Sequence, residues 1–298
     1  MSNEGFISCM AIEAIEKKPI YHFNPNSKVL SVGGVGCNLQ CDFCQNCAVS
    51  QEESDRVKST FFIPEQIVQS AIDRSVDGIC FTYNEPLYNW DFVYDVLKLC
   101  KSKNLFTVLK TNGVTGSMRW REAMAMCDAI NLDIKGNGDI YNRVCGASSD
   151  QFEMLQSNIM SALIESSRGT FHLEISMPVY PHEDNKWVYD FVNTYLNNSY
   201  YNKVPVHLLK IIPAFRAIGW ESTKKEDIFK IYDDLKYTIP FIYAHNIFGK
   251  EADKYRWTYD PICKSCVLIK RKNLRSEIVD VDACKFLKTT NEFNHCSL

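Results

Sequence analysis

Short apolar runs alternate with amphipathic stretches along most of this chain, and the two periods mark its elements. "KVLSVGG" (28–34), "GICFTY" (78–83), "LFTVLK" (105–110), "AINLDI" (129–134), "TFHLEISMPVY" (170–180), "VHLLKIIPAF" (206–215) and "FIYAHNI" (241–247) read as strands. Between them lie segments with helical spacing: 64–74, opened by Pro64, then 88–103, 117–127, 149–166, 185–198 and 225–237. In 88–103, Phe92, Val93, Val96, Leu97 and Cys100 share one helical face. Strand–helix alternation six times over, with continuously apolar strands, predicts a parallel sheet covered by helices. The unusual polar residues gather at the carboxyl ends of the strands. A cysteine loop follows the first, then come Tyr83, Asn84 and Glu85, Lys110, Thr111 and Asn112, Asp133 and Lys135, and Pro213. That rim is where barrels build their sites. The expected fold is α/β: a partial (β/α)6 TIM-like barrel over 28–250. A short N-terminal extension (1–27) precedes it and a cysteine-rich tail (251–298) follows.

Composition narrows the function. With 298 residues, 46% of them apolar, the chain can bury one barrel-sized core. No apolar run reaches the ~18 residues of a membrane span. The formal charge of −3 argues against a general nucleic-acid binder. The start, "MSNEGFISCMAIEAIEKKP", is acidic and lacks the apolar stretch of an export signal. Thirteen cysteines, an odd number gathered at two places, do not look like a disulfide framework. Together these features predict a cytoplasmic protein whose cysteines bind metal. Cys80, Cys100 and Cys127 stand outside both gatherings and read as buried small hydrophobes.

"GCNLQCDFCQNC" (36–47) carries Cys37, Cys41, Cys44 and Cys47. Closely spaced thiolates in one loop suit an iron–sulfur cluster, whereas zinc sites usually pair two separated halves. Four ligands would close the cluster and make an electron carrier or redox sensor. Three would leave one iron open for chemistry, and density of cysteines alone leaves both readings standing.

The C-x3-C-x2-C spacing, with aromatic Phe43 just before the third cysteine, resembles the signature of radical S-adenosylmethionine (SAM) enzymes. The chain is similar to the branch of pyruvate formate-lyase activating enzymes, and within it to the AmmeMemoRadiSam-system radical SAM proteins. The likeness is carried by 15–51, "FTYNEP" (81–86), "KTNG" (110–113), "NLDIKG" (131–136) and "VCGA" (144–147), and more loosely by "VHLLKIIP" (206–213). It implies that Cys37, Cys41 and Cys44 hold a [4Fe–4S] cluster and that Cys47 is not a ligand. SAM would chelate the fourth iron and be cleaved by one electron to methionine and a 5′-deoxyadenosyl radical, which takes hydrogen from a substrate. By the same likeness Asn84 and Glu85 hold the SAM amino group, a charge-assisted contact. Thr111 and Asn112 are polar contacts, and Phe43 packs on the adenine. Asp133 and Lys135, alternate residues facing one way, lie near SAM, with Lys135 on its carboxylate.

Two positions depart from the activating enzymes. Lys110 stands where they carry an aspartate, and Phe215 stands where they often carry a histidine. Arg143 and Cys145 fall on a loop that the resemblance puts near the substrate mouth, and Cys145 reads as packed. His207 and His245 read as core residues of their strands. The resemblance implies a flavodoxin- or ferredoxin-type electron donor and a peptide, protein or small-molecule substrate. The two departures favour such a modification enzyme over an activase for a glycyl radical enzyme. In the tail, Cys263, Cys266, Cys284 and Cys296 form a second candidate site, for zinc or an auxiliary cluster.

Overall fold

Continuously apolar strands have no face to give to water, and here they form the middle of one sheet. The computed structural model describes residues 5–51, 57–247, 249–259, 267–272 and 275–278. Strands β1 (Phe6–Ile7) and β2 (Cys9–Ala14) precede β3 (Lys28–Gly33). The cysteine loop, α1 (Cys47–Ser50) and β4 (Thr60–Phe61) follow. Then come α2 (Pro64–Asp73), β5 (Gly78–Phe81), α3 (Trp90–Ser102), β6 (Phe106–Thr111), α4 (Ser117–Met126) and β7 (Ala129–Asp133). Next are α5 (Gly138–Cys145), α6 (Ser149–Ser167), β8 (His172–Val179), α7 (Lys186–Phe191), β9 (Val206–Lys210), α8 (Lys225–Leu235) and β10 (Ile242–His245). A small antiparallel sheet, β11 (Thr258–Tyr259), β12 (Val267–Lys272) and β13 (Arg275–Ile278), ends the described chain.

The main sheet has eight strands in the order β10-β9-β8-β7-β6-β5-β3-β2. All its pairings are parallel except β2 with β3. It is the partial barrel the strand pattern predicts. β5 is buried at every position, and α3 buries Phe92, Val93, Val96, Leu97 and Cys100, the face expected. Ser148 caps α6 reciprocally with Gln151, which satisfies two donors at the helix start. Cys80, Cys100 and Cys127 are buried.

Three features differ from the sequence reading. Part of the N-terminal extension belongs to the sheet, because β2 completes its edge. A further helix, α5, appears and is stopped by Gly146 in the left-handed region, φ 65°. The 185–198 helix loosens into a π turn over Val192–Leu196.

The lumen is polar. After β2 the chain turns inward, and the lumen carboxylate of Glu174 accepts from Tyr21 N (2.7 Å), His22 N (2.7 Å), His172 Nε2 (2.9 Å) and His207 Nε2 (2.5 Å). Burial opposes the charge of Glu174, but the bonds from His172 and His207 outweigh it and hold the carboxyl below its usual range. Arg271 of β12 seals the same end: it donates to Tyr21 O (2.7 Å) and Arg256 O (3.1 Å) and lies over the Tyr21 ring. Among the described residues no helix is long and apolar enough to cross a membrane. Cys263, Cys266, Cys284 and Cys296 lie outside the described residues.

Candidate active site

The cysteine loop leaves β3 and is tied down from several sides. Gly36 N donates to Val49 O (2.9 Å), while Gln40 N and Asp42 N donate to Cys145 O and Val144 O, both at 2.9 Å. Asn84 braces the entry, accepting from Gly34 N (3.0 Å) and donating to Gly36 O (3.0 Å). Gly36 has φ +90°, and a Cβ there would meet the Tyr88 ring at 2.7 Å, so only glycine suits this turn.

The loop brings Cys37, Cys41 and Cys44 to one wall of a cleft of about 440 Å³ at the carboxyl ends of the strands. Cys47, the first residue of α1, is not on that wall. The three thiols have separate partners. Cys37 Sγ accepts from Leu39 N (3.4 Å) and faces Asn112 Nδ2 (3.8 Å). Cys44 Sγ meets Ser50 Oγ at 3.1 Å. The neighbouring Cys145 thiol lowers the pKa of Cys41, and Cys41 raises that of Cys145. Burial and then the nearby Glu85 push Cys37 up to about 12. Among the described residues, no three His, Cys, Asp or Glu side chains converge on a position for a single ion. The donor set on the cleft wall is three thiols of one loop, and closely spaced cysteine sulfurs suit an iron–sulfur cluster.

Phe43, Asn84, Glu85, Thr111, Asn112, Asp133 and Lys135 line the same cleft. The buried carboxylate of Glu85 is a staple between loops. It accepts from Leu87 N (3.0 Å), Thr111 Oγ1 (2.6 Å) and Asn112 N (2.7 Å). Burial raises its pKa against those bonds. A carboxylate offers about four acceptor positions, so one remains for a ligand. Asp133 is shared: Lys135 Nζ lies 3.1 Å from its Oδ2 and Lys110 Nζ 3.5 Å. Burial opposes the Asp133 charge, but the two lysines outweigh it and lower its pKa.

Phe43 also reaches the cleft, but its ring packs edge-on to Tyr180, centroids 5.6 Å apart, with Trp220 beyond. Arg143 pairs outside with Glu183 (2.7 Å), and Cys145 is buried against the cysteine loop. His207 is buried in the lumen, whereas His245 lines the cleft with its Nδ1 3.1 Å from the Tyr21 hydroxyl. Sequence reasoning missed the opposite wall: Lys17, Lys18 and Pro19 of the inward-turning segment, with Leu209 and Lys210 of β9. Only the family-like run 15–51 pointed there.

The family model of the Radical SAM superfamily matches residues 31–193. The chain belongs to the radical SAM superfamily. Membership implies a [4Fe–4S] cluster and SAM. An uncharacterized protein of Methanocaldococcus jannaschii is 30% identical over 284 residues, which cover 93% of this chain and 80% of that protein. A pyruvate formate-lyase-activating enzyme of Clostridium pasteurianum is 28% identical over 121 residues, 40% of this chain and half of that enzyme. The crystal structure of Streptococcus suis SuiB bound to precursor peptide SuiA matches with a TM-score of 0.52 at 13% identity. That match covers 78% of this chain and 51% of SuiB, and it shows the shared fold.

Proposed function

We propose that this radical SAM chain is an enzyme that cleaves SAM reductively and abstracts hydrogen from a peptide or small-molecule substrate. The observation that carries the reading is one shared cleft. Three of the four loop cysteines, Glu85, Asp133 and Lys135 all open on it, and Cys47 does not. An electron carrier needs no such pocket beside its cluster.

In this reading Cys37, Cys41 and Cys44 hold the cluster, which supplies one electron to SAM when both are bound. The remaining acceptor position of Glu85 takes the SAM ammonium, while its three bonds keep the β5 and β6 ends in register. Lys135 keeps its proton and meets the carboxylate of SAM. Burial opposes its charge, but Asp133 outweighs burial and holds its pKa well above the ordinary value. Asn112, near Cys37 Sγ, is placed to donate to the bound thiolate and to orient it. A flavodoxin- or ferredoxin-type donor of a reducing cytoplasm supplies the electron.

The test is anaerobic reconstitution with iron and sulfide, then addition of dithionite and SAM. 5′-Deoxyadenosine and methionine are expected. An iron-loaded, folded protein that forms neither returns the chain to the electron-carrier reading.

A further inference from the structure

Lys110 enters the site so far only as the second lysine on Asp133. It lies on β6 directly opposite Asn131 of β7, and its side chain lines the cleft. Its Nζ donates to Asn131 Oδ1 at 2.7 Å. That oxygen is held in place, because Ser176 Oγ also donates to it (2.9 Å) and Asn131 Nδ2 donates to Pro19 O (2.8 Å).

Lys110 and Lys135 compete for Asp133, and Lys135 is nearer, at 3.1 Å against 3.5 Å. All three side chains are largely withdrawn from water, with 21%, 14% and 19% exposure for Lys110, Lys135 and Asp133. Until a ligand carboxylate reaches Lys135, one carboxylate compensates one ammonium. A second ammonium in a water-poor lumen, beside a like charge, is favoured less than the neutral amine. Burial, outweighing Asp133, lowers the Lys110 pKa, and Lys135 adds to the effect. The other titratable groups facing it leave the balance unchanged. Cys80 on β5 is a thiol pushed up to about 11 by burial. Burial lowers the pKa of His207 on β9 and of His245 on β10. The lowered pKa gives Lys110 a larger share of neutral amine than an ordinary lysine has, and the geometry suits that form: an amine that donates to Asn131 and Asp133 keeps its lone pair free on the cleft wall. A desolvated lysine beside another cation is the usual design of an amine nucleophile.

We propose that Lys110 captures the aldehyde or ketone carbonyl of the substrate as an imine, which makes carbonyl compounds the substrate class. The proposal rests on the radical SAM reading of the same cleft. The nitrogen lone pair adds to the carbonyl carbon, and a proton passes from nitrogen to oxygen to give a carbinolamine. The hydroxyl leaves as water with a proton from solvent, the nitrogen lone pair forms the carbon–nitrogen double bond, and the proton left on nitrogen returns to solvent to give the imine. No oxidant or reductant takes part. The imine holds the substrate beneath the strand rim, and its π system delocalises an unpaired electron on the adjacent carbon.

The test uses propionaldehyde with sodium cyanoborohydride at about pH 7, where ordinary lysines are protonated. Peptide mass spectrometry then locates the reduced adduct. Lys110 is expected to label at least tenfold faster than exposed Lys103. Lys135→Gln removes the competing cation and gives Asp133 to Lys110 alone, so labelling of Lys110 should slow at least tenfold. Labelling of wild-type Lys110 no faster than Lys103 overturns the proposal, whether or not the variant folds. So does a folded Lys135→Gln protein that labels Lys110 at the wild-type rate. Trapping requires neither cluster nor SAM. Failure of 5′-deoxyadenosine formation with trapping intact therefore counts against the radical reading alone, and the reverse counts against the imine alone.

Discussion

Glu85 offers a test in which stability and ligand binding separate. Its carboxylate holds Leu87 N, Thr111 Oγ1 and Asn112 N, and the side chain is buried. Glu85→Ala removes all three acceptor contacts at once. A hydrogen bond to a charged group contributes ~1.5–3 kcal/mol, and a buried donor left unpaired costs ~1–3 kcal/mol. The Thr111 hydroxyl can rotate to another acceptor, but the two backbone N–H groups cannot. The expected loss is therefore about 3–5 kcal/mol, a large part of a domain's ~5–15 kcal/mol. Glu85→Gln keeps an oxygen for Thr111 and Leu87, which share Oε1, and sets an amide NH2 against Asn112 N. Its loss should be smaller, ~1.5–3 kcal/mol. Urea unfolding of the metal-free protein, followed by circular dichroism, measures both and should rank wild type above Gln and Gln above Ala. An Ala variant within about 1 kcal/mol of wild type would refute the staple. Calorimetric titration of SAM into folded, iron-loaded Glu85→Gln reports the other role. Loss of the charged contact raises the dissociation constant roughly tenfold or more. Unchanged affinity would leave Glu85 as a staple with no place at the ligand.

Alanine at Cys37, Cys41 or Cys44 should abolish the cluster absorbance and SAM cleavage, while Cys47→Ala keeps both; equal iron loss in all four would defeat the three-ligand reading. For Glu13, burial pushes the pKa up, but bonds from Lys17, Lys18 and Tyr83 outweigh it and bring it down to about 2. Because the folded value lies below the unfolded one, its stabilisation is full above pH ~4.5 and is lost as pH falls toward ~2. Glu13→Gln should flatten the stability curve across that window, and an unchanged slope would place the acid sensitivity elsewhere. Replacing Cys263, Cys266, Cys284 and Cys296 together by alanine should remove a second metal, zinc or iron, and leave the barrel cluster. Metal analysis showing one cluster and nothing more in the wild type would sink that site.

The sheet and its helices were legible because parallel strands are apolar on both faces and helices on one. β2 was not: "CMAIEA" alternates only weakly, and β3 alone gives it a place. The rim motifs were legible, since Glu85, Asp133 and Lys135 are costly residues to put at strand ends without a purpose. Their partners were not. That Glu85 is already bonded to Asn112 N, or that Lys110 shares Asp133, depends on the β5–β6 and β6–β7 registers, which no single segment encodes. The wall built by Lys17, Lys18 and Pro19 was hidden for the same reason. A polar run such as "EKKPIYHFNP" looks like a surface loop until distant strands supply its bonds.

That inward segment has a consequence for synthesis on the ribosome. Tyr21 bonds to Glu174, 153 residues later, and to Arg271, 250 residues later. At ~5–20 residues per second, Tyr21 waits roughly 8–30 s for Glu174 to be made and longer still for Arg271. This early segment is thus among the last to dock. Until it does, the growing sheet has an open edge at its newest strand and an unfilled centre, and both are surfaces that invite the wrong partner. A chaperone that holds the Tyr21 segment during synthesis should therefore raise the yield of folded protein more than one that acts on the finished chain.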